Sequence, residues 1–120
     1  MKNVLSPSEL QLRDIIWKNE PVRSGRLSAI CLSEAGWKKS TVYTILKNLR
    51  NWDYISNDKG NVTSLISKQD YYHTLAKDFV DKYFNSSFAE FTAAYSDGVH
   101  LAREDILACY DAVKNYRAKF

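Results

Sequence analysis

Two cysteines, two histidines, four glycines and two prolines among 120 residues leave little material for several kinds of protein. Cys31 and Cys109 stand far apart, with no second Cys or His at ligand spacing, so neither a disulfide framework nor a cysteine-rich metal site is expected. Both read as small core residues. His73 and His100 have no nucleophile or paired carboxylate at motif spacing, and neither a glycine-rich phosphate loop nor a His-Glu-x-x-His pattern occurs. Catalysis therefore has no candidate residues, and no metal or cofactor is implied. So few Gly and Pro exclude a collagen-like or disordered chain. No apolar run nears the roughly 18–20 residues that cross a bilayer, and the first residues lack the apolar core of a secretory signal. The expectation is a cytoplasmic protein with no membrane partner, in which the sequons at Asn61 and Asn85 stay unmodified.

Hydrophobic residues make up 45% of the chain and 16 residues are aromatic, which is ample for folding. A chain of this size suits one domain or two very small lobes. Such a domain hides only about two thirds of its unfolded surface, so two lobes would each be short of core unless a partner subunit completed one. The net charge of +3 is unevenly spread: residues 1–70 hold 11 Lys and Arg against 7 Asp and Glu, a balance of +4, whereas residues 71–120 hold 6 against 7, a balance of −1. A basic front half suits a polyanion partner without demanding one.

Ser6-Pro7-Ser8-Glu9 has the spacing of a capping box with Pro at the first helical position. A helix is predicted from there to about Lys18, with Leu12, Ile15, Ile16 and Asn19 on one side and Pro21 ending it. Ser24 is placed to cap a second short helix carrying Leu27, Ile30 and Cys31, and Gly36 to close it. Val42, Ile45, Leu46, Leu49 and Trp52 then form the clearest apolar stripe in the chain. Tyr54–Asn57 and Val62–Ile66 flank Asp58-Lys59-Gly60-Asn61 and read as a small hairpin. Beyond Lys68 the periodicity is helical: Tyr72, Leu75, Ala76, Phe79, Val80 and Tyr83, then Phe88, Phe91, Ala94 and Tyr95. After a Ser96-Asp97-Gly98 turn comes a last stripe through Ile106, Leu107, Tyr110 and Val113, with Phe120 further on.

Three helices followed by a hairpin match the winged form of the helix-turn-helix, whose third helix enters the major groove. Opposite its apolar stripe this third helix presents Ser40, Tyr43, Thr44, Lys47, Asn48 and Asn51, without a carboxylate. Hydroxyls and amides can read base edges, and a Thr methyl or Tyr ring can pack on a thymine methyl. Lys38, Lys39, Arg50 and Lys59 suit phosphate contacts that position without reading. The aromatic tail cannot bury its own surface in about 50 residues, which points to pairing with the tail of a second chain through Tyr72, Leu75, Phe79, Tyr83, Phe88, Phe91, Ile106, Leu107, Tyr110 and Val113. Two rival uses of the same fold stay open. The face from Ser40 to Asn51 could dock another protein, or the chain could be a ligand-responsive winged helix regulator of another kind.

Leu5-Ser6, Glu9-Leu10, Ile16-Trp17, Gly36-Trp37 and above all the run Ser40-Thr41-Val42-Tyr43-Thr44-Ile45-Leu46-Lys47-Asn48-Leu49 resemble the penicillinase repressor family, the BlaI/MecI/CopY group of bacterial transcriptional regulators. The likeness extends to Tyr83–Phe91, similar to the family's join between tail helices. It implies a mainly α fold with a small β-hairpin: a winged helix-turn-helix DNA-binding domain over residues 1–68 and a helical dimerisation region over 69–120. It further implies a homodimeric repressor on a double-stranded, pseudo-palindromic operator, with Ser40, Thr41, Tyr43 and Thr44 at the base-reading positions and Asp58 to Asn61 as the wing. The antibiotic-resistance branch is released when a membrane sensor cuts the tail, which implies a regulatory protease as partner, the matching region lying near Ala94-Tyr95. The Cys-x-Cys hook of the copper-responsive branch is absent. The chain also departs from the family where Asn48 replaces the usual Arg of the recognition helix, and where an Arg- and Tyr-rich second wing strand is Val62-Thr63-Ser64-Leu65-Ile66.

Overall fold

The structure, a computed structural model, describes residues 4–116. At its front the Ser6 Oγ accepts the Glu9 N–H at 3.3 Å, and Glu9 Oε1 accepts the Ser6 N–H at 2.7 Å, closing the expected capping box. Helix α1 (Pro7–Asn19) follows and buries Leu12, Ile15 and Ile16, together with Arg13. Strand β1 (Val22–Arg23) leads directly into α2 (Ser24–Ala35), which Gly36 closes in the left-handed conformation at φ 69°. Ser24 is not the N-cap that its residue type suggests. Arg23 holds that position without a side-chain cap, because the chain passes from strand to helix there and the Ser24 N–H is committed to Gly60 O at 2.8 Å.

Helix α3 (Lys39–Asn51) buries Val42, Ile45, Leu46 and Leu49 of the expected stripe, while Trp52, its fifth member, is the C-cap residue and half-buried against the same core. Strands β2 (Ile55–Asp58) and β3 (Asn61–Ser64) form the hairpin, with Asp58 opposite Asn61 as its last rung. That rung shortens the expected four-residue turn to Lys59-Gly60, both at positive φ (53° and 85°) as a two-residue hairpin turn of the primed type requires. The hairpin is also not alone: β1 pairs antiparallel with β3, giving a three-stranded sheet in the order β1-β3-β2.

Helices α4 (Lys68–Tyr83), α5 (Phe88–Ser96) and α6 (Arg103–Lys114) complete the described elements. The Ser87 Oγ caps α5 by accepting the Glu90 N–H at 3.1 Å, and Gly98 turns the chain at φ 75°. Phe120, expected on the last helix, lies outside the described residues.

The chain divides into two units, described residues up to Lys77 and those from Asp78 onward. The first is built round one core that joins α1, α2, α3 and the sheet and ends at Tyr71 in the first turn of α4. On α4 the sequence stripe begins at Tyr72, yet Tyr71 is the buried ring, its Oη accepting the Leu5 N–H at 3.3 Å. In the second unit no described residue is buried. Cys31 sits in the first core as expected; Cys109 does not, being exposed on α6, because that unit offers no interior to hold it.

Candidate nucleic-acid interface

Helix α3 keeps its apolar stripe inward, so the opposite face is presented whole. Ser40, Thr41, Tyr43, Thr44, Lys47, Arg50 and Asn51 are all exposed, and Asn48 is half-buried. The Thr44 Oγ1 donates to Ser40 O at 2.9 Å. Its hydroxyl proton is thereby used within the helix, leaving outward an acceptor lone pair and a methyl group. Lys39 Nζ stands over the Tyr43 ring, 5.6 Å from its centroid and one helical turn away. Lys38 and Lys39 at that entrance are exposed, and Lys59 is exposed in the hairpin turn.

The hairpin is held at its base by a buried cation that helical periodicity does not foresee. Arg13 is completely buried on α1. Its Nη1 donates to Tyr54 O at 3.2 Å and to Ser64 Oγ at 3.1 Å, and its Nη2 donates to Ile66 O at 2.7 Å. These acceptors lie just before β2, at the end of β3 and just after it, so one guanidinium ties both legs of the wing to α1. Trp17 Nε1 adds a second bond to Ile66 O at 3.1 Å, and its ring stacks on the guanidinium at 4.2 Å. The Ser64 hydroxyl accepts from Arg13 and donates to Glu20 Oε2, relaying a carboxylate towards the buried charge. Burial pushes the Arg13 guanidinium down to about 10, against the opposing charge of Glu20, and leaves it cationic at neutral pH. Burial likewise raises the Tyr54 phenol beside it.

Arg13 and its stacking on Trp17 are the parts of this site that periodicity does not reveal. The spacing Arg13–Trp17, a cation four residues before an aromatic ring on one helix, is the local signal that points to them. Arg23 was missed as well, since a two-residue strand carries no period to recognise.

With this geometry in place, comparison with known proteins is decisive: the penicillinase repressor model matches residues 5–115. The chain belongs to the penicillinase repressor family. It is similar to the penicillinase repressor of Bacillus licheniformis, at 20% identity over 117 residues covering 94% of this chain and 91% of that protein. Membership of the family makes it a transcriptional repressor. The winged helix of this chain presents the exposed, acid-free face of α3 described above.

The expected dimerisation residues of this repressor fall into two groups. Tyr72 and Leu75 lie in the first unit, Leu75 packed against its core and the Tyr72 ring 6.4 Å from that of Trp17. The others belong to the second unit. There Phe79 touches Tyr83, Phe84 and Phe91, with ring centroids 5.0, 5.8 and 6.3 Å away, and Phe91 meets Tyr95 at 6.1 Å. Phe88, Ile106, Leu107, Tyr110 and Val113 remain half or more exposed. An open cleft of about 670 Å³ runs along this unit between Phe88, Phe91 and Tyr95 on α5 and Ile106, Cys109 and Tyr110 on α6. Among the described residues no group of His, Cys, Asp and Glu is placed to hold a metal, and no helix is long and apolar enough to cross a membrane.

Proposed function

We propose that the chain represses transcription as a homodimer that occupies a pseudo-palindromic operator. Ser40, Thr41, Tyr43 and Thr44 read base edges, while Lys38, Lys39, Lys47, Arg50 and Lys59 hold the backbone. The observation that carries this reading is the exposed face of α3, polar, basic and free of carboxylates, on a helix whose other side is locked into the core. Thr44, its proton engaged by Ser40 O, offers an acceptor for a base amino group and a methyl for thymine, so it suits an A·T or C·G step better than the acceptor edge of guanine.

Dimerisation through residues 69–120 is supported by the second unit, where large apolar side chains stand exposed in a unit without a core. Pairing of tails would deliver two reading helices to two half-sites, roughly a whole number of helical turns apart. Operator affinity then depends on tail pairing, so a signal that weakens the tail releases DNA without altering α3. A regulatory protease is one such signal: a cut near the exposed Ala94 and Tyr95 would separate α6 from the rest of the chain.

The test begins with selection of preferred duplexes from a random 30-bp pool by the intact protein. Thr44→Ala should weaken the selected duplex by about 1–3 kcal/mol and leave the unselected pool unchanged. An unaltered preference of the variant for the selected duplex removes Thr44 from the reading set.

A further inference from the structure

The wing turn contributes a single lysine, yet the sheet brings a second cation to the same place. Because β1 pairs with β3, Arg23 stands opposite Asn61, the residue that follows the turn. Its guanidinium lies against Gly60: a Cβ at that glycine would meet Arg23 Nη2 at 3.4 Å and Cζ at 3.7 Å. The turn underneath is itself fixed, with the Ser24 N–H donating to Gly60 O at 2.8 Å and the Gly60 N–H to Asn57 Oδ1 at 3.1 Å. Arg23 is exposed, and no carboxylate among the described residues forms an ion pair with it. Asp58 ends the same cross-strand row through Asn61, one strand further on, so the charge of the tip is graded from β1 towards β2.

We infer that Arg23 and Lys59 form a phosphate site at the wing tip that takes a backbone phosphodiester of DNA beside the groove entered by α3. Arg23, from outside the hairpin, is its principal ligand. The inference rests on the DNA-binding reading above and deepens it. A guanidinium can present two parallel N–H donors to two phosphate oxygens, which a lysine cannot do, and resting against a fixed turn it loses less freedom on binding than an extended side chain. Gly60 makes that seat possible. Its φ of 85° builds the tight turn against which the guanidinium rests and disfavours any other residue. Strand β1 thereby compensates for a second wing strand, Val62-Thr63-Ser64-Leu65-Ile66, that carries no cation.

The measurement is a salt titration of the full-length protein on the random 30-bp pool and on the duplex selected from it. Each lost phosphate contact should reduce the slope of log K against log salt by about 0.9, hence by about 1.8 for a dimer on two half-sites. Arg23→Ala should show that reduction and weaken both duplexes alike, about eightfold per half-site at 0.1 M salt, with the loss fading towards 1 M. Arg23→Lys should retain the slope. Lys68→Ala, an equal loss of charge at the other end of the wing, should retain it too. An unchanged slope for Arg23→Ala, or an equal reduction for Lys68→Ala, overturns the wing-tip site. If Thr44→Ala still loses its duplex preference in that case, operator reading stands without the site; if the wild-type protein binds no duplex, both readings fall together.

Discussion

The two units of this repressor solve opposite problems. The front unit closes a core from Leu5 to Tyr71 and even encloses a guanidinium, whereas the rear unit places ring beside ring from Phe79 to Tyr95 and buries none of its described residues. Apolar content is not what separates them. The difference is in what lies on the other side of each stripe: α1, α2, α3 and the sheet face one another across a closed interior, while α5 and α6 flank an open cleft. One unit is complete as a single chain. The other leaves its large apolar side chains exposed, so on the dimer proposed above stability should reside in the first and association in the second.

The sharpest break of that contrast is at Arg13. Arg13→Ala would remove three charge-assisted hydrogen bonds, to Tyr54 O, Ser64 Oγ and Ile66 O, and open a void beneath Trp17, so a loss of about 3–5 kcal/mol is expected. Leu12→Ala, in the same turn and fully buried, should cost about 2–5 kcal/mol by cavity formation alone. All three tryptophans, at 17, 37 and 52, belong to the front unit, so denaturant unfolding followed by their fluorescence reads this unit directly. Neither loss should depend on protein concentration. A cost below about 1 kcal/mol for Arg13→Ala would mean that the wing is not held through α1.

A smaller effect of a different kind is expected behind residue 77. Tyr110→Ala removes a ring that is 62% exposed, so it should cost the isolated chain under about 1 kcal/mol. If the exposed tail faces pair, the same change should weaken dimerisation by about 2 kcal/mol or more, as loss of a buried aromatic anchor does at an interface. Sedimentation equilibrium across a range of concentrations separates the two. A variant that stays as dimeric as wild type, or a wild-type chain that is monomeric throughout, would transfer the role of these rings elsewhere.

Most of this architecture was readable where one residue type acts within its own element. The Ser6–Glu9 box, the α3 stripe and Gly36 each depend on neighbours three or four positions away, and the structure places all of them as expected. What escaped depends on distant chain. Arg13 is buried because acceptors 41, 51 and 53 residues further along converge on it, and no window of sequence contains that fact. Strand β1 exists only through its partner β3. At Tyr71-Tyr72 adjacent rings both satisfy a helical stripe through Leu75 and both lie beside Trp17, and the choice between them is made by the Leu5 N–H and the Tyr54 ring. Cys109 shows the reverse error: the usual burial of a free cysteine has no force in a unit with no interior. The exposed α3 face was legible for the same local reason as the stripe behind it.

The finest test of the contrast uses protons, because Arg13, Cys31 and Tyr54 all lie in the front unit. Burial raises the Cys31 thiol above its ordinary 9.0, helped by Glu34, and raises the Tyr54 phenol above its ordinary 10.0, helped by Tyr71. An unfolded chain therefore releases both protons before the folded one does. Their stabilising contribution is intact below about pH 9 and is lost as pH climbs through those ordinary values towards the raised ones. Arg13 acts with the opposite sign, since burial lowers it from its ordinary value to about 10. Below pH 10 it is charged in both states and adds no slope; above, the unfolded chain holds the extra proton and stability is returned. Tryptophan-detected melting of the front unit should accordingly fall between pH 8.5 and 10 and then level off, and Cys31→Ala should shallow the early part of the fall. A melting temperature that stays constant from pH 8.5 to 10 would show that these buried groups titrate alike in the folded and unfolded chain.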